Sequence, residues 1–316
     1  MDEFKIVREI KVDSLDSFMS SIGFNGKLLK KLQSAYIYRG HSKSSYQLLP
    51  TALRKDLKKE LWSLSGIGIP VDNQSEWEWW QIHVEYMLLL QFYRRCDSCG
   101  LYVPEVPRLR KCLNTDYSFD IEFLLKGEKW LPQDLYEIAG LAQHYGLLTR
   151  LLDWTSDFFT ALYFASSGVI CDKESNMDEA MVIWALNASY VDFLSSTTNR
   201  LPLRIIRPRY YGNPNLSAQR GLFTFWEIDK PYIEKEKPIE FLSGIKLVDR
   251  MPLDEQLNGA CPKEKDYDGL LYKIIIPVKY AKDIYQYLMR IGYGASKHFP
   301  GYYGVVKNMK DDSNKV

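Results

Sequence analysis

Over residues 76–95 apolar side chains recur at intervals of three and four. Trp77, Trp80, Val84 and Met87 or Leu88 fall on one stripe, and the spacing predicts a long helix. The same period returns over 133–144, where Leu135, Ile138, Ala139 and Ala142 share a face and Gly146 stands where a left-handed helix terminator belongs. A third helix is expected over 157–167, with Ser156 or Asp157 as its cap, Ala161, Phe164 and Ala165 as its apolar face and Gly168 at its end. "DSLDSFMSSIGF" reads as a short helix capped by Asp13 or Ser14, and "QLLPTALRK" as a turn entering a helix at Pro50. "SAYIYRGHS" reads as a strand running into a turn, and "AMVIWAL" (180–186), "RIIRP" and "GLFTFW" as further strands. "LLYKIIIPV" (270–278) carries the strongest strand pattern, and "YAKDIYQYLMRIG" follows it as a helix.

These elements predict an α+β fold, a mixed central sheet of short strands with helices packed around it. Residues 1–34 read as a helical or extended lead-in, 35–305 as the domain, and 306–316 as a flexible tail. The stretch 100–119, with Pro104 and Pro107, reads as irregular, and "DKPYIEKEKPIE" as a solvated excursion. There is no internal repeat.

Charge then narrows the function classes. Lys+Arg 41 against Asp+Glu 40 leaves a net charge of +1, too little for a global field that steers nucleic acid or an acidic membrane. The opening residues lack an apolar h-region and no run of about 18 apolar residues occurs, so neither export nor a membrane partner is expected. Five cysteines, odd in number and widely spaced, are expected as free thiols in a reducing cytoplasm. Cys96 and Cys99 form a CxxC, but only Cys112 follows nearby as another soft ligand, and no metal is expected there. No GxGxxG follows a strand, and no Walker loop, GxSxG elbow or Cys-His signature is present.

The dense polar stretch is "LAQHYGLLTRLLDWTSDFFTALYFA" (141–165), read as two short helices joined by a turn that carries His144, Tyr145, Thr149, Arg150, Asp153 and Trp154. Asp153 would either cap the next helix or pair with an arginine, Arg150 or Arg39. Arg39 ends a strand beside Gly40, where a guanidinium can fork onto a phosphate or carboxylate. Gln219 precedes a strand, with Gly221 supplying a bend.

These blocks, "IYRGHS" (37–42), residues 141–165, "SAQRGLFTF" (217–225) and the ending "YLMRIGYGASKHFPGYYG", resemble the FRG domain, with Tyr38 in place of the phenylalanine of its Phe-Arg-Gly signature. Their order also resembles, at the level of fold, the three-block arrangement of ADP-ribosyltransferases. That resemblance implies an effector, a toxin or an anti-phage protein, using NAD as co-substrate and modifying a nucleic-acid or protein acceptor. Arg39, His144, Thr149 and Gln219 would be catalytic. Tyr38, Gly40, Tyr145, Arg150 and Asp153 would hold the nucleotide. The chain departs from the pattern in lacking a Ser-Thr-Ser run and in placing Gln219 where glutamate is usual, with Glu227 as the nearest acid. The alternative is a non-catalytic nucleotide- or nucleic-acid-binding module in which Arg204, Arg207 and Arg209, interleaved with tyrosines, make the contact.

Overall fold

Seven strands form one mixed sheet because the chain supplies β-branched and aromatic runs whose alternate residues can be covered on both faces. The structure, a computed structural model, describes residues 4–32, 35–70, 73–113, 129–172, 179–197, 201–229 and 246–313. Its strands are β1 (Val7–Lys11), β2 (Tyr36–His41), β3 (Lys129–Trp130), β4 (Leu152–Thr155), β5 (Ala180–Asn187), β6 (Leu203–Ile206), β7 (Gly221–Trp226), β8 (Ile228–Asp229) and β9 (Leu271–Pro277). Its helices begin with α1 (Leu15–Ile22), α2 (Lys27–Leu32), α3 (Lys58–Ser65), α4 (Glu78–Ser98), α5 (Pro107–Leu113), α6 (Tyr136–His144) and α7 (Phe158–Cys171). They continue with α8 (Ala188–Thr197), α9 (Pro214–Ala218), α10 (Leu253–Ala260), α11 (Ala281–Arg290), α12 (Ala295–His298) and α13 (Tyr302–Ser313).

The large sheet runs β1-β9-β5-β2-β4-β7-β6, while β3 and β8 pair separately. β1 lies parallel to β9, and the other neighbours are antiparallel. Alternation sends Tyr38, Ile183, Ala185 and Ile274 to one face, into a core shared with α7 and α11. Ile37, Val182, Trp184, Leu152 and Trp154 go to the other, into a core shared with α8 and α10. A third core joins α4 and α6 to Phe223 and Phe225 of β7.

One joint is thin. β2 pairs with β5 from Tyr36 to His41, but with β4 only at Tyr38 opposite Thr155. Continued, that register would set Gly40 against Asp153. Instead the Asp153 carbonyl accepts from the Arg39 side chain, whose Nη1 lies 2.7 Å away. A guanidinium thus stands where a ladder bond would be, and the sheet opens beside it.

Several sequence expectations are revised. Residues 7–11, within the stretch read as a helical or extended lead-in, are extended and join the sheet as an edge strand, because β9 offers them a free ladder along Leu271–Ile275. Residues 302–313, read partly as tail, form α13. Between the helices of the 141–165 stretch lies a strand, β4, and not a turn alone. Its neighbouring helix is capped by Asp157, whose Oδ1 accepts from the Phe159 and Thr160 amides, and not by Asp153. Pro50 leads into a single 3₁₀ turn, Thr51–Leu53, and part of the stretch read as irregular forms α5, with Pro107 at its first position. The charged excursion after Asp229 lies outside the described residues.

Candidate functional site

The site begins with a glycine. A Cβ on Gly40 would come within 2.0 Å of the Ala161 carbonyl oxygen and 2.9 Å of the Ala165 amide. The small residues of "ALYFA" and the glycine of "YRG" are therefore one device that lets α7 lie directly on β2. This draws the N-terminal end of α7, the end of β2 and the end of β4 together around a cavity of about 460 Å³.

Arg39, His144, Asp153 and Gln219 line that cavity, together with Gln143 and Asn215. Tyr38 and Gly40 form part of its wall, and Phe164 and Phe299 give it apolar surface. Tyr38 is itself held by its hydroxyl, which donates to the Leu32 carbonyl at 2.7 Å, and by an edge-on contact with Phe158.

A chain of hydrogen bonds runs along the floor. The Thr149 hydroxyl donates to Gln143 Oε1 at 2.6 Å, and Gln143 Nε2 donates to the Asp153 carboxylate at 3.0 and 3.2 Å. Since a carboxylate only accepts, this fixes which way the Gln143 amide points. Asp153 Oδ2 accepts from Arg39 Nη1 at 3.3 Å, and Arg39 Nε donates to His41 Nε2 at 2.9 Å. A guanidinium has no lone pair to offer, so His41 is neutral with Nε2 as acceptor. Burial, and next the Arg39 charge, push its pKa down to about 3. Burial also lowers His144, against a weaker pull from Asp153.

Gln219 reaches the cavity through a strained corner. Arg220 takes the left-handed conformation at φ 47°, so the bend assigned to Gly221 belongs to its neighbour. Gly221 is needed for space: a Cβ there would come within 2.4 Å of Leu216. The Gln219 Nε2 donates to the His298 carbonyl at 3.1 Å, and its own carbonyl accepts from the Thr155 hydroxyl at 2.7 Å. His298 is fully buried, stacked on Tyr163 with ring centroids 4.2 Å apart.

Three of the expected contact residues stand elsewhere. Thr149 is buried and acts through Gln143; it also accepts from the Leu151 amide at 3.1 Å. Arg150 points away, into a buried cluster where Nη2 meets Glu78 at 2.5 Å and Nε meets Glu85 at 3.0 Å. Gln81 and Trp130 donate to the same Glu85. Burial opposes the charge on Arg150, but Glu78 and Glu85 outweigh it and hold its pKa above the ordinary range. This is a structural ion-pair cluster that turns Arg150 away from the cavity. Tyr145 is exposed, its ring edge-on to His144 at 5.5 Å, and does not line the cavity.

Glu227, the acidic alternative to Gln219, lies past the far end of β7 and is bonded to Arg204 at 2.8 Å. Arg204 is thus paired with Glu227, and Arg207 with Asp192 at 2.7 Å on the surface. Gln143, Asn215 and His41 were missed by sequence reasoning. Gln143 and His41 sit inside motifs already singled out, next to His144 and Gly40. Asn215 had no such flag.

Among the described residues no group of His, Cys, Asp and Glu could hold a metal, no helix is long and apolar enough to cross a membrane, and all five cysteines are free. A family model described as the FRG domain matches residues 117–174, the segment that supplies α6, β4 and α7. No curated protein and no solved structure gives a significant match to the chain. The matched segment forms one side of the cavity and the Tyr-Arg-Gly strand the other, so the chain carries an FRG domain match at the site itself.

Proposed function

We propose that the cavity binds a nucleotide, NAD foremost, and that the protein is an ADP-ribosyltransferase-like effector. The observation that supports this reading is the convergence of Arg39, His144, Asp153 and Gln219, from three separate parts of the chain, on one cavity of about 460 Å³. Arginine, amide and carboxylate side chains around a partly aromatic hollow suit a sugar with a flat base attached.

Transfer breaks the bond between ribose C1′ and the nicotinamide nitrogen, whose electron pair leaves with nicotinamide. A lone pair of the acceptor forms the new bond to C1′, and the acceptor's proton passes to a base. Asp153 is the one carboxylate among the described residues lining the cavity, suited to face the positive charge that develops on the sugar. His144, pulled below the usual imidazole range by burial, is neutral near pH 7 and can take the proton. Gln219 and Asn215 orient sugar hydroxyls, and Arg39 holds Asp153 in place while facing the ligand.

The test is transfer of label from NAD to macromolecules of a cell extract, with nicotinamide release followed in parallel. Wild type is expected to label an acceptor, and Gln219→Ala and Asp153→Asn to lose labelling while remaining folded. NAD binding without release or transfer would favour the non-catalytic nucleotide-binding module. Neither binding nor transfer would defeat both readings. As a toxin or defence effector, the wild type would also arrest growth when produced in cells, and Gln219→Ala would not.

A further inference from the structure

Behind the Arg39–Asp153 bridge lies a second, larger hollow of about 730 Å³, which shares Arg39, Gly40 and Phe164 with the first. The two differ in charge. Among the described residues, the first sets one arginine against one carboxylate, whereas the second has Arg39, Arg54, Lys55 and Arg250 in its wall against Asp56 alone. Two of these cations are engaged: Arg39 with Asp153, and Arg250 with Glu76 at 3.1 Å and the Leu53 carbonyl. Arg54 is different. Its Nε donates to the Leu49 carbonyl at 3.1 Å, and it makes no ion pair with any described residue. Burial, and next the charge of Arg39, hold its guanidinium below the usual range. Lys55 beside it is exposed and unpaired among the described residues. Ser42 and Ser45 add hydroxyl donors to the same wall. An excess of positive charge in a concave site, with uncommitted N–H groups, is the arrangement that recognises phosphate oxygens.

We infer that this second hollow is an anion subsite for phosphoryl groups, held chiefly by Arg54 and Lys55. The phosphate has two sources: the phosphate arm of a nucleotide seated in the adjoining cavity, or a separate phosphodiester strand that approaches as acceptor. The inference rests on the nucleotide reading only for what the phosphate is attached to.

The experiment titrates inorganic pyrophosphate into the full chain by calorimetry, with NAD and a single-stranded oligonucleotide as competitors. Sub-millimolar binding is expected, weakened at least about tenfold by Arg54→Gln, the scale of one charge-assisted contact, more modestly by Lys55→Gln, and unchanged by Gln219→Ala. If loss of the bond to Leu49 unfolds the Arg54 variant, the exposed Lys55 variant decides. Displacement by NAD supports the subsite and assigns the phosphate to the nucleotide; displacement by the oligonucleotide alone supports it and assigns the phosphate to an acceptor. Absence of pyrophosphate binding by wild type overturns the inference. So does binding that the Arg54 and Lys55 variants leave unchanged. Failure of NAD transfer with pyrophosphate binding intact would defeat the transfer reading and uphold this one.

Discussion

Replacing Arg39 with alanine removes its bonds to His41 Nε2, to the Asp153 carbonyl and to the Asp153 carboxylate. The Asp153 side chain is 52% exposed, so water replaces the lost partner and the expected cost is only about 1–2 kcal/mol. Ligand binding should vanish while the melting temperature drops a few degrees; retention of binding would show that Arg39 merely braces the sheet. Arg150 behaves oppositely. It is 6% exposed over Glu78 and Glu85, which are buried almost completely. Arg150→Ala should therefore cost about 3–5 kcal/mol, read as a lower urea midpoint, and an unchanged midpoint would contradict the cluster's role. Sequence spacing could not separate the two arginines. Arg150 lies close to Asp153 along the chain, but its partners are 65 and 72 residues away, on a helix whose sequence looks like any apolar stripe.

At the scale of elements, the close seating of α7 on β2 makes Gly40→Ala destructive. The added methyl meets backbone at 2.0 Å, and rigid overpacking costs about 1–3 kcal/mol or more. Thermal unfolding of that variant should come well below wild type, and an unshifted transition would mean the contact is not as drawn. Leu135, fully buried at the start of α6, gives the matching test: Leu135→Asp buries an unpaired charge and should cost several kcal/mol, roughly 3 or more. The periodic elements were legible, since α4, α6, α7, β5 and β9 each carry enough turns or alternations to declare their type. The short ones were not. "LDWT" has too few residues to show a period, and its Asp153 mimics a helix cap four residues before the true cap, Asp157. β1 announces itself only through its pairing with β9, a contact between opposite ends of the described chain.

For the molecule as a whole, the histidines set the response to acid. Burial brings His41 down to about 3 and His83 and His298 down to about 4, against about 6.5 in an unfolded chain. Below pH 6.5 the unfolded chain binds protons that the folded chain refuses, so stability is complete above that point and is lost as pH falls toward about 4. Urea midpoints at pH 7.5, 6 and 5 should fall in that order, and a flat or rising series would contradict the neutral burial of these rings. The site as an assembly was partly legible: Arg39, His144 and Gln219 were flagged as separate blocks. What no motif could convey was that the convergence depends on a sheet that parts between β2 and β4. That seam has a topological consequence. The chain passes across it from β2 to β4, back to β5, over again to β6, and back once more to β9. The two sides are thus sewn together by four covalent stitches, so any ligand that parts them has to move four connections together rather than turn one side about a single joint.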